Sequence, residues 1–468
     1  MNSRRPIAGA ARARVVPALA AGALALLAGC AAPAIQDNVA AARAEVTARG
    51  GPDFAWLTTA AARDQARADV AQALRQPLSA DAAVRIALAN DPALQALMFD
   101  RAAASADATQ SARLPNPVFA FERLAGGGAT EVTRALSVSL LDLFLLPARA
   151  RQADAVQRRL RLQLAADVLR GAAAARAAWV DAVAADQSAR YAAQVLDAAE
   201  AGALLARRLE AVGNFSALQR AREEVFLTDA SSELAQARRT QRRTRETLVR
   251  ALGLDAAAAA TLALPDRLPD LPATLPPATQ AQQSALDERL DVRLAKARLD
   301  ELARTLGLAR ATGTLDALDG GLEHRGHTGQ PREHGLTLSA PLPLFDAGDA
   351  TREAARARYD AALSRSAAQA VAAASQLREA DADRRDAHAL ALVFRDRLLP
   401  LQASIVSQTL LRYNGMLASP FDLLADARDQ ARTVQMAIGA QRDFWLADAA
   451  WQAASPGLPS NDDFMEVR

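Results

Sequence analysis

The side chains with the widest chemical repertoire are scarce in this chain, which has one cysteine and four histidines in 468 residues. Three of those histidines, His324, His327 and His334, fall in one short stretch, and imidazole is a common metal ligand. No cysteine and no acidic cluster joins them, so the stretch reads as a solvated loop between two strands, with no metal expected. Met416 reads as a packing residue, not as a soft copper ligand. The sequence contains no Gly-x-Ser-x-Gly elbow, no phosphate-binding glycine loop and no His-Glu-x-x-His. With so little material for general acid or metal chemistry, an enzyme is not expected, and no cofactor is implied. The 55 basic and 53 acidic residues are spread evenly, without the basic stripe that a nucleic-acid partner needs.

The one cysteine is informative by position. Arg4, Arg5, Arg12 and Arg14 precede an apolar run from Val15 to Ala28, which ends Leu27-Ala28-Gly29-Cys30. That plan resembles a bacterial lipoprotein signal: residues 1–29 are removed, and Cys30 receives covalent lipid, palmitate included. The run is shorter than the roughly 20 residues that span a bilayer, so a cleaved signal is expected and not an anchor helix. Ala31 stands where an acidic residue would mark inner-membrane retention, so by the same resemblance an outer-membrane anchor is expected. Cleavage deletes four arginines and takes the formal charge from +2 to about −2.

The elements behind these residues are mostly helical. Hydrophobic residues make up 51% of the chain and aromatic ones only 4%. Ser79 caps a helix with Asp81 in its first turn and Val84 and Leu88 on one face, and Asp91-Pro92 breaks and restarts it as far as about Arg113. Two strands follow within about 115–143: Pro117 to Leu124, with Phe119 and Phe121 on one face, and a segment in which Leu136, Val138 and Leu140 alternate with Ala135, Ser137 and Ser139. Gly126-Gly127-Gly128 turns between them. From Pro147 to Val212 the pattern predicts one helix of roughly 100 Å, with Leu162, Leu169 and Val183 at multiples of seven. It turns at Gly213-Asn214-Phe215-Ser216 and returns as a helix to about Leu252. Runs such as Arg238-Arg239 and Arg242-Arg243 read as a solvated helix face.

After a proline-rich connector, 254–278, the plan repeats over 279–454. A helix runs from about Gln280 to Arg310, and strands follow within about 313–343, the first near Gly313 to His324 with Gly320-Gly321 in it and the second carrying Leu336, Leu338 and Ala340. Asp346 caps a second long helix that runs to Tyr413, with Pro400 as its one interruption. The turn at 414–420 includes Asn414, Gly415, Ser419 and Pro420, and a last helix reaches Ala454 with Trp445 and Trp451 packed in its wall. Residues 455–468 form a tail. Landmarks recur at nearly constant displacement, Ser139 to Ser339 by 200, Phe144 to Phe345 by 201 and Gly213 to Gly415 by 202, an internal two-fold repeat of about 200 residues. Each half offers two strands of about the length a tilted transmembrane strand requires, and four strands cannot close a barrel. An open sheet in lipid leaves its edge amides unpaired, so closure with other copies is expected, twelve strands for three.

These landmarks resemble the TolC family of outer-membrane efflux channels. The resemblance rests on Leu78-Ser79, Ala87-Leu88-Ala89-Asn90-Asp91-Pro92, Leu114-Pro115-Asn116-Pro117, Pro341-Leu342-Pro343-Leu344-Phe345-Asp346-Ala347-Gly348, Tyr413-Asn414-Gly415 and Phe421-Asp422-Leu423-Leu424, in that order along 79–253 and 279–454. With Cys30 and the segment 30–78 as lipid-anchored N-terminus, the chain looks like the lipoprotein branch of that family. The resemblance implies a mainly α protein with a transmembrane β part: a homotrimer with a twelve-stranded barrel in the outer membrane of a Gram-negative bacterium and a tunnel of helical hairpins in the periplasm. The implied partners are a periplasmic adaptor and an inner-membrane pump, and the implied activity is that of a passive efflux duct. The two turns become periplasmic tips, 213–216 and 413–420, the second beside a gate. Asp422 matches the first acidic position of that gate, the usual second is Ala425, the next carboxylate is Asp426, and an expected arginine is replaced by Ala418. Asp422 and Asp426 lie one turn apart and form either a cation-attracting constriction or a helix-end charge. The cargo, heavy metal or drug, has no residue-level signature. The competing reading is a lipid-anchored coiled-coil scaffold or adaptor without a pore, which leaves the duplicated strand pairs unexplained.

Overall fold

Serine and aspartate caps punctuate the chain where the sequence placed them. Ser79 Oγ accepts from the Ala82 amide at 3.2 Å, Asp91 Oδ1 from that of Ala93 at 2.9 Å, and Ser216 Oγ from that of Gln219 at 3.2 Å. Each satisfies a backbone donor that a helix start would otherwise leave open. The computed structural model describes residues 34–275, 285–313 and 316–457. Cys30 lies outside the described residues, as do Pro276, Pro277, Gln280 and the tail from residue 458.

In chain order the elements are α1 (Ala34–Ala48), α2 (Ala60–Ala73), α3 (Ala80–Asn90), α4 (Pro92–Ser111), β1 (Val118–Gly126), β2 (Ala129–Ser139), α5 (Leu140–Ala211), α6 (Ala217–Ala251) and α7 (Ala256–Thr261). They continue with α8 (Leu290–Thr312), β3 (Asp319–His327), β4 (Glu333–Ser339), α9 (Asp349–Val393), a π-turn (Phe394–Leu398), α10 (Leu399–Asn414) and α11 (Pro420–Ala454). The segment 30–78 therefore carries two helices, and the connector 254–278 contains a third, α7.

The main core surrounds the middle of α5. Leu162, Val168, Val183 and a run of buried alanines meet α1, α3, α4, α6 and α8 there. Alanine lets the helices approach closely while sparing side-chain entropy. Trp179 is 3% exposed and donates its indole N–H to the Leu78 carbonyl at 2.7 Å, so the Leu78-Ser79 landmark anchors the start of α3 to α5. Asn90 closes the other end, its Nδ2 donating to the carbonyls of Leu252 at 3.0 Å and Gly253 at 2.8 Å. Gly253 has φ +62°, and a Cβ there would stand 2.7 Å from the Asn90 carbonyl and from Pro92 Cδ. Only glycine fits this crossing. A smaller cluster joins Phe444, which is fully buried, to Ala391 and Ala440.

Several boundaries differ from the sequence expectation. The first long helix starts at Leu140, so Pro147 lies inside it, and β2 ends at Ser139, whose Oγ accepts from the Asp142 amide at 3.4 Å. As the eighth residue of the helix, Pro147 forfeits one backbone hydrogen bond, and the helix continues through it. The first strand of the second pair lies later than about Gly313 to His324, as β3 at Asp319–His327, and Gly320 and Gly321 sit within it where the backbone comes close to its neighbours: a Cβ on Gly320 would be 2.8 Å from Leu140 Cδ1, and one on Gly321 2.7 Å from Thr337 Oγ1. His324 and His327 are consequently strand residues of β3, and His334 belongs to β4, so the solvated-loop reading of the three is corrected. Asp346 does not cap the second long helix. Its Oδ1 accepts from the Gly348 amide at 2.7 Å, and Gly348, at φ +69°, precedes the helix and crosses the backbone of Gly313. Pro400 acts through the π-turn before it, where a widened turn absorbs the clash of its ring with the fourth preceding carbonyl.

Candidate functional site

The four strands form one antiparallel sheet in the order β1-β2-β3-β4, so β1 and β4 are its edges. Register divides the side chains between two faces. On one face the row Phe119, Leu136, Leu322 and Leu336 lies beside the row Val138, Gly320 and Leu338. These apolar side chains are exposed, Leu336 at 84% and Leu338 at 73%. Beyond the strand ends the apolar surface continues through Phe144, 75% exposed, and Phe345, which is fully exposed. The opposite face carries Ser137, Thr133 and Glu131 on β2, Glu323, Arg325 and His327 on β3, and Thr337 and Glu333 on β4, although β1 adds Val118 and Leu124 to it. Arg325 pairs there with Glu131 at 3.1 Å and Glu323 at 2.8 Å. An oily face backed by a charged, internally paired one is the pattern of a strand set between lipid and water.

The two helical turns have different chemistry. In the first, Gly213 takes φ +79° and donates to the Glu210 carbonyl at 2.9 Å, Asn214 donates to Leu209 at 2.8 Å, and Phe215 is 8% exposed. Ser216 and Gln219 complete a reciprocal cap, the Ser216 amide donating to Gln219 Oε1 at 2.8 Å. In the second turn Tyr413 and Asn414 end α10, and Gly415 donates to Leu411 at 3.0 Å, yet the left-handed residue is Met416, at φ 60°. The counterpart of Gly213 is thus Met416 and not Gly415. Met416 is 94% exposed, which corrects the packing reading: a side chain at the apex of a left-handed turn points away from both helices. Leu417 beside it is 74% exposed.

Ser419 and Pro420 open α11. The Asp422 amide donates to Ser419 Oγ at 3.1 Å, and Asp422 Oδ2 accepts from the Ser419 amide at 3.0 Å and from its hydroxyl at 2.8 Å. Those hydrogen bonds from Ser419, backbone first and side chain second, hold the Asp422 carboxyl below its ordinary range. Asp426, a turn further on, accepts from Thr409 Oγ1 at 2.5 Å and ties α11 to α10. Within one chain both carboxylates thus have structural partners, and neither is an isolated charge.

An ion pair that no motif pointed to lies close by. Glu223 of α6 is 1% exposed, and Arg428 of α11 reaches its Oε1 at 3.1 Å. The Arg428 guanidinium also lies 5.4 Å from the Phe226 ring centroid and 5.8 Å from that of Phe421. Gly202 on α5 leaves room for the junction, with Leu424 Cδ2 3.4 Å and Glu223 Oε2 3.7 Å from the place a Cβ would take. One buried pair thus couples the two hairpins above their turns. Glu223 sits in an ordinary charged run, Arg220 to Glu224, and nothing in its spacing separates it from solvated neighbours. Elsewhere Arg384 pairs with Asp448 at 2.6 Å and lies 4.2 Å above Trp451, while Trp445 donates to the Pro269 carbonyl at 3.1 Å. Arg238, Arg239, Arg242 and Arg243 are exposed. His324 and His334 face each other across β3 and β4, Nδ1 to Nδ1 at 3.2 Å, and His327 lies 3.3 Å from Glu131 on the other face. Among the described residues no three potential ligands gather around a common point.

No protein-family model and no curated protein matches the sequence. Solved structures do match the fold. A membrane protein from Pseudomonas aeruginosa superposes with TM-score 0.68 at 20% identity, covering 80% of this chain and 93% of its own. The outer-membrane protein VceC of Vibrio cholerae superposes with TM-score 0.66 at 15% identity, covering 81% and 97%, respectively. The Campylobacter jejuni CmeC outer membrane channel gives 0.68 at 14% identity, covering 82% and 87%. The fold is that of the TolC-family channels. Helix α5, from Leu140 to Ala211, leads from the end of β2 to the first turn, so the sheet and the 213–216 turn stand at its opposite ends.

Proposed function

We propose that the chain is one protomer of a trimeric outer-membrane channel, a passive duct for small molecules or metal ions passed on by an inner-membrane pump through a periplasmic adaptor. The observation that carries this is the sheet: four strands, two open edges and an exposed apolar face. In lipid each unpaired edge amide costs several kcal/mol, and three copies joined β1 to β4 satisfy every edge in a ring of twelve strands. The helices support the same reading. Helix α10 buries no residue within the chain although Leu401, Ile405 and Leu411 are 58%, 45% and 68% exposed, as expected of a helix that packs against another copy. A pore-free scaffold needs neither feature.

The repeated order of two strands, long helix, turn and returning helix accords with an origin by duplication. Lipid on Cys30 would add an anchor beside the barrel. The 213–216 and 413–420 turns are the surfaces we assign to the adaptor, and exposed Met416 and Leu417 give the second an apolar tip. Asp422 and Asp426 remain candidates for a cation-selective constriction, each acting from a carboxylate already held by Ser419 or Thr409. The first test is the mass of the detergent-solubilised protein. Three protomers with β-structure that survives in sodium dodecyl sulfate until boiling are expected, and a soluble monomer lacking that behaviour contradicts the reading.

A further inference from the structure

The sheet sorts its charges by face as well as its oily side chains. Next to the apolar row, toward the hairpin turns, lies the row Phe121, Arg134, His324 and His334, followed by Arg123 opposite Val132. These basic groups share the face of Leu136 and Leu336. The acids of the same strands, Glu122, Glu131, Glu323 and Glu333, all stand on the opposite face by the alternation of the pleat. Arg325 and His327, also on that face, are the bases that engage Glu131. Among the described residues, Arg123 and Arg134 form no ion pair, and both are exposed. His324 and His334 spend one ring nitrogen each on their mutual contact at 3.2 Å, so a second nitrogen of the pair is left to donate outward.

This arrangement rests on the channel reading above, and under it the height of the row is fixed. The helical body joins the sheet at the Ser139, Asp319 and Ser339 ends, so the turns at Gly127-Gly128 and 328–332 emerge on the far side of the bilayer. The basic row then lies at the outer rim of the apolar band, facing lipid, with no carboxylate of its own to neutralise it. Basic side chains at that level lie beside the phosphate groups of the surrounding leaflet, and a planar guanidinium fits a phosphate by two parallel hydrogen bonds.

We propose that Arg123, Arg134 and the His324–His334 pair form a binding site for the phosphate headgroup of an anionic lipid in the outer leaflet, a phosphorylated glycolipid whose acyl chains lie along Phe119, Leu136 and Leu322. The complementarity is two-fold: unpaired cations for the phosphate, and below them a continuous oily row for the chains. A free phosphate ion would use the cations alone.

The test uses the full-length trimer in nanodiscs of phosphatidylethanolamine, titrated with lipid A bearing two phosphates and, separately, with dephosphorylated lipid A. Retained lipid is counted by native mass spectrometry. The wild type is expected to retain phosphorylated lipid A and not its dephosphorylated form, with millimolar inorganic phosphate failing to displace it. The R123Q/R134Q variant should retain at least about tenfold less, from the loss of two interfacial cations. R325Q, which alters the opposite face, should bind as the wild type does. Equal retention by wild type and R123Q/R134Q, equal retention of both lipids, or displacement by inorganic phosphate would overturn the proposal. Insertion is scored separately, by heat-modifiable trimers in the same nanodiscs: trimers that insert without lipid selectivity refute the site alone, whereas a chain that never inserts refutes the channel reading and the site with it.

Discussion

Ser419 and Asp422 hold the first turn of α11 by reciprocal hydrogen bonds, and the chemistry of that cap sets a pH dependence. The Asp422 carboxyl is held below its ordinary value in the folded chain, so its contribution is present in full above the usual aspartate range and is lost as pH falls through the lowered value. The protection of the amides at the start of α11, their exchange relative to the unstructured chain at the same pH, is therefore expected to be unchanged from neutral pH down to about 4 and to fall below it. Protection lost between pH 7 and 5 would count against the cap. Ser419→Ala should cost about 1 kcal/mol of local stability at pH 7, read by the same exchange experiment. Gly253→Ala addresses the core instead: with φ +62° and the Asn90 carbonyl in the way, a loss of more than about 1 kcal/mol is expected, seen as a lower midpoint of thermal unfolding. Residue by residue, the sequence disclosed what local chemistry determines. Ser79, Asp91 and Ser216 were readable because a cap is a short-range event, whereas the cap formed by Ser419 was read only as part of a turn and Asp346 was read as a cap it does not form. Glu223, Arg428 and the left-handed Met416 were not, since a long-range pair and a strained turn residue leave no spacing signature.

Among the elements, the hairpins depend on few cross-links. Glu223 and Arg428 join α6 to α11 with the carboxylate almost wholly buried. Removing Arg428 strands the buried carboxylate, so Arg428→Ala should destabilise the turn region by about 3 kcal/mol, and adding Glu223→Ala should cost much less than a second such loss. Denaturant unfolding followed at each hairpin checks this, and strict additivity would show that the two side chains do not act as a pair. The long helices and their breaks were legible from proline and glycine, and so were the alternating rows of β2 and β4. The bounds of β3 were misjudged, about Gly313 to His324 expected against Asp319–His327 observed, because Gly320 and Gly321 weaken its alternation, although they sit inside the strand in contact with Leu140 and Thr337. That same displacement moved His324 and His327 out of a presumed loop. Helices α1 and α2 escaped notice because their short amphipathic turns carry weak periodicity beside the long repeats.

At the scale of the molecule, one chain leaves its strongest signals unsatisfied: open edges on β1 and β4, an oily sheet face and an α10 that buries nothing. The mainly helical fold class could be read from the sequence because caps, glycines and prolines mark the long helices and period-2 alternation marks the strands, whereas closure into a ring would be a property of several chains and is written only as unpaired edges. Cys30→Ser should abolish incorporation of labelled palmitate while leaving the trimer intact; label retained by the variant would place the lipid elsewhere. The most direct measurement of the central claim is the conductance of the purified protein in planar bilayers, with its mass determined in the same detergent. The account predicts discrete, long-lived steps from a particle of three protomers. A monomer or dimer that leaves the bilayer silent at every voltage would contradict it.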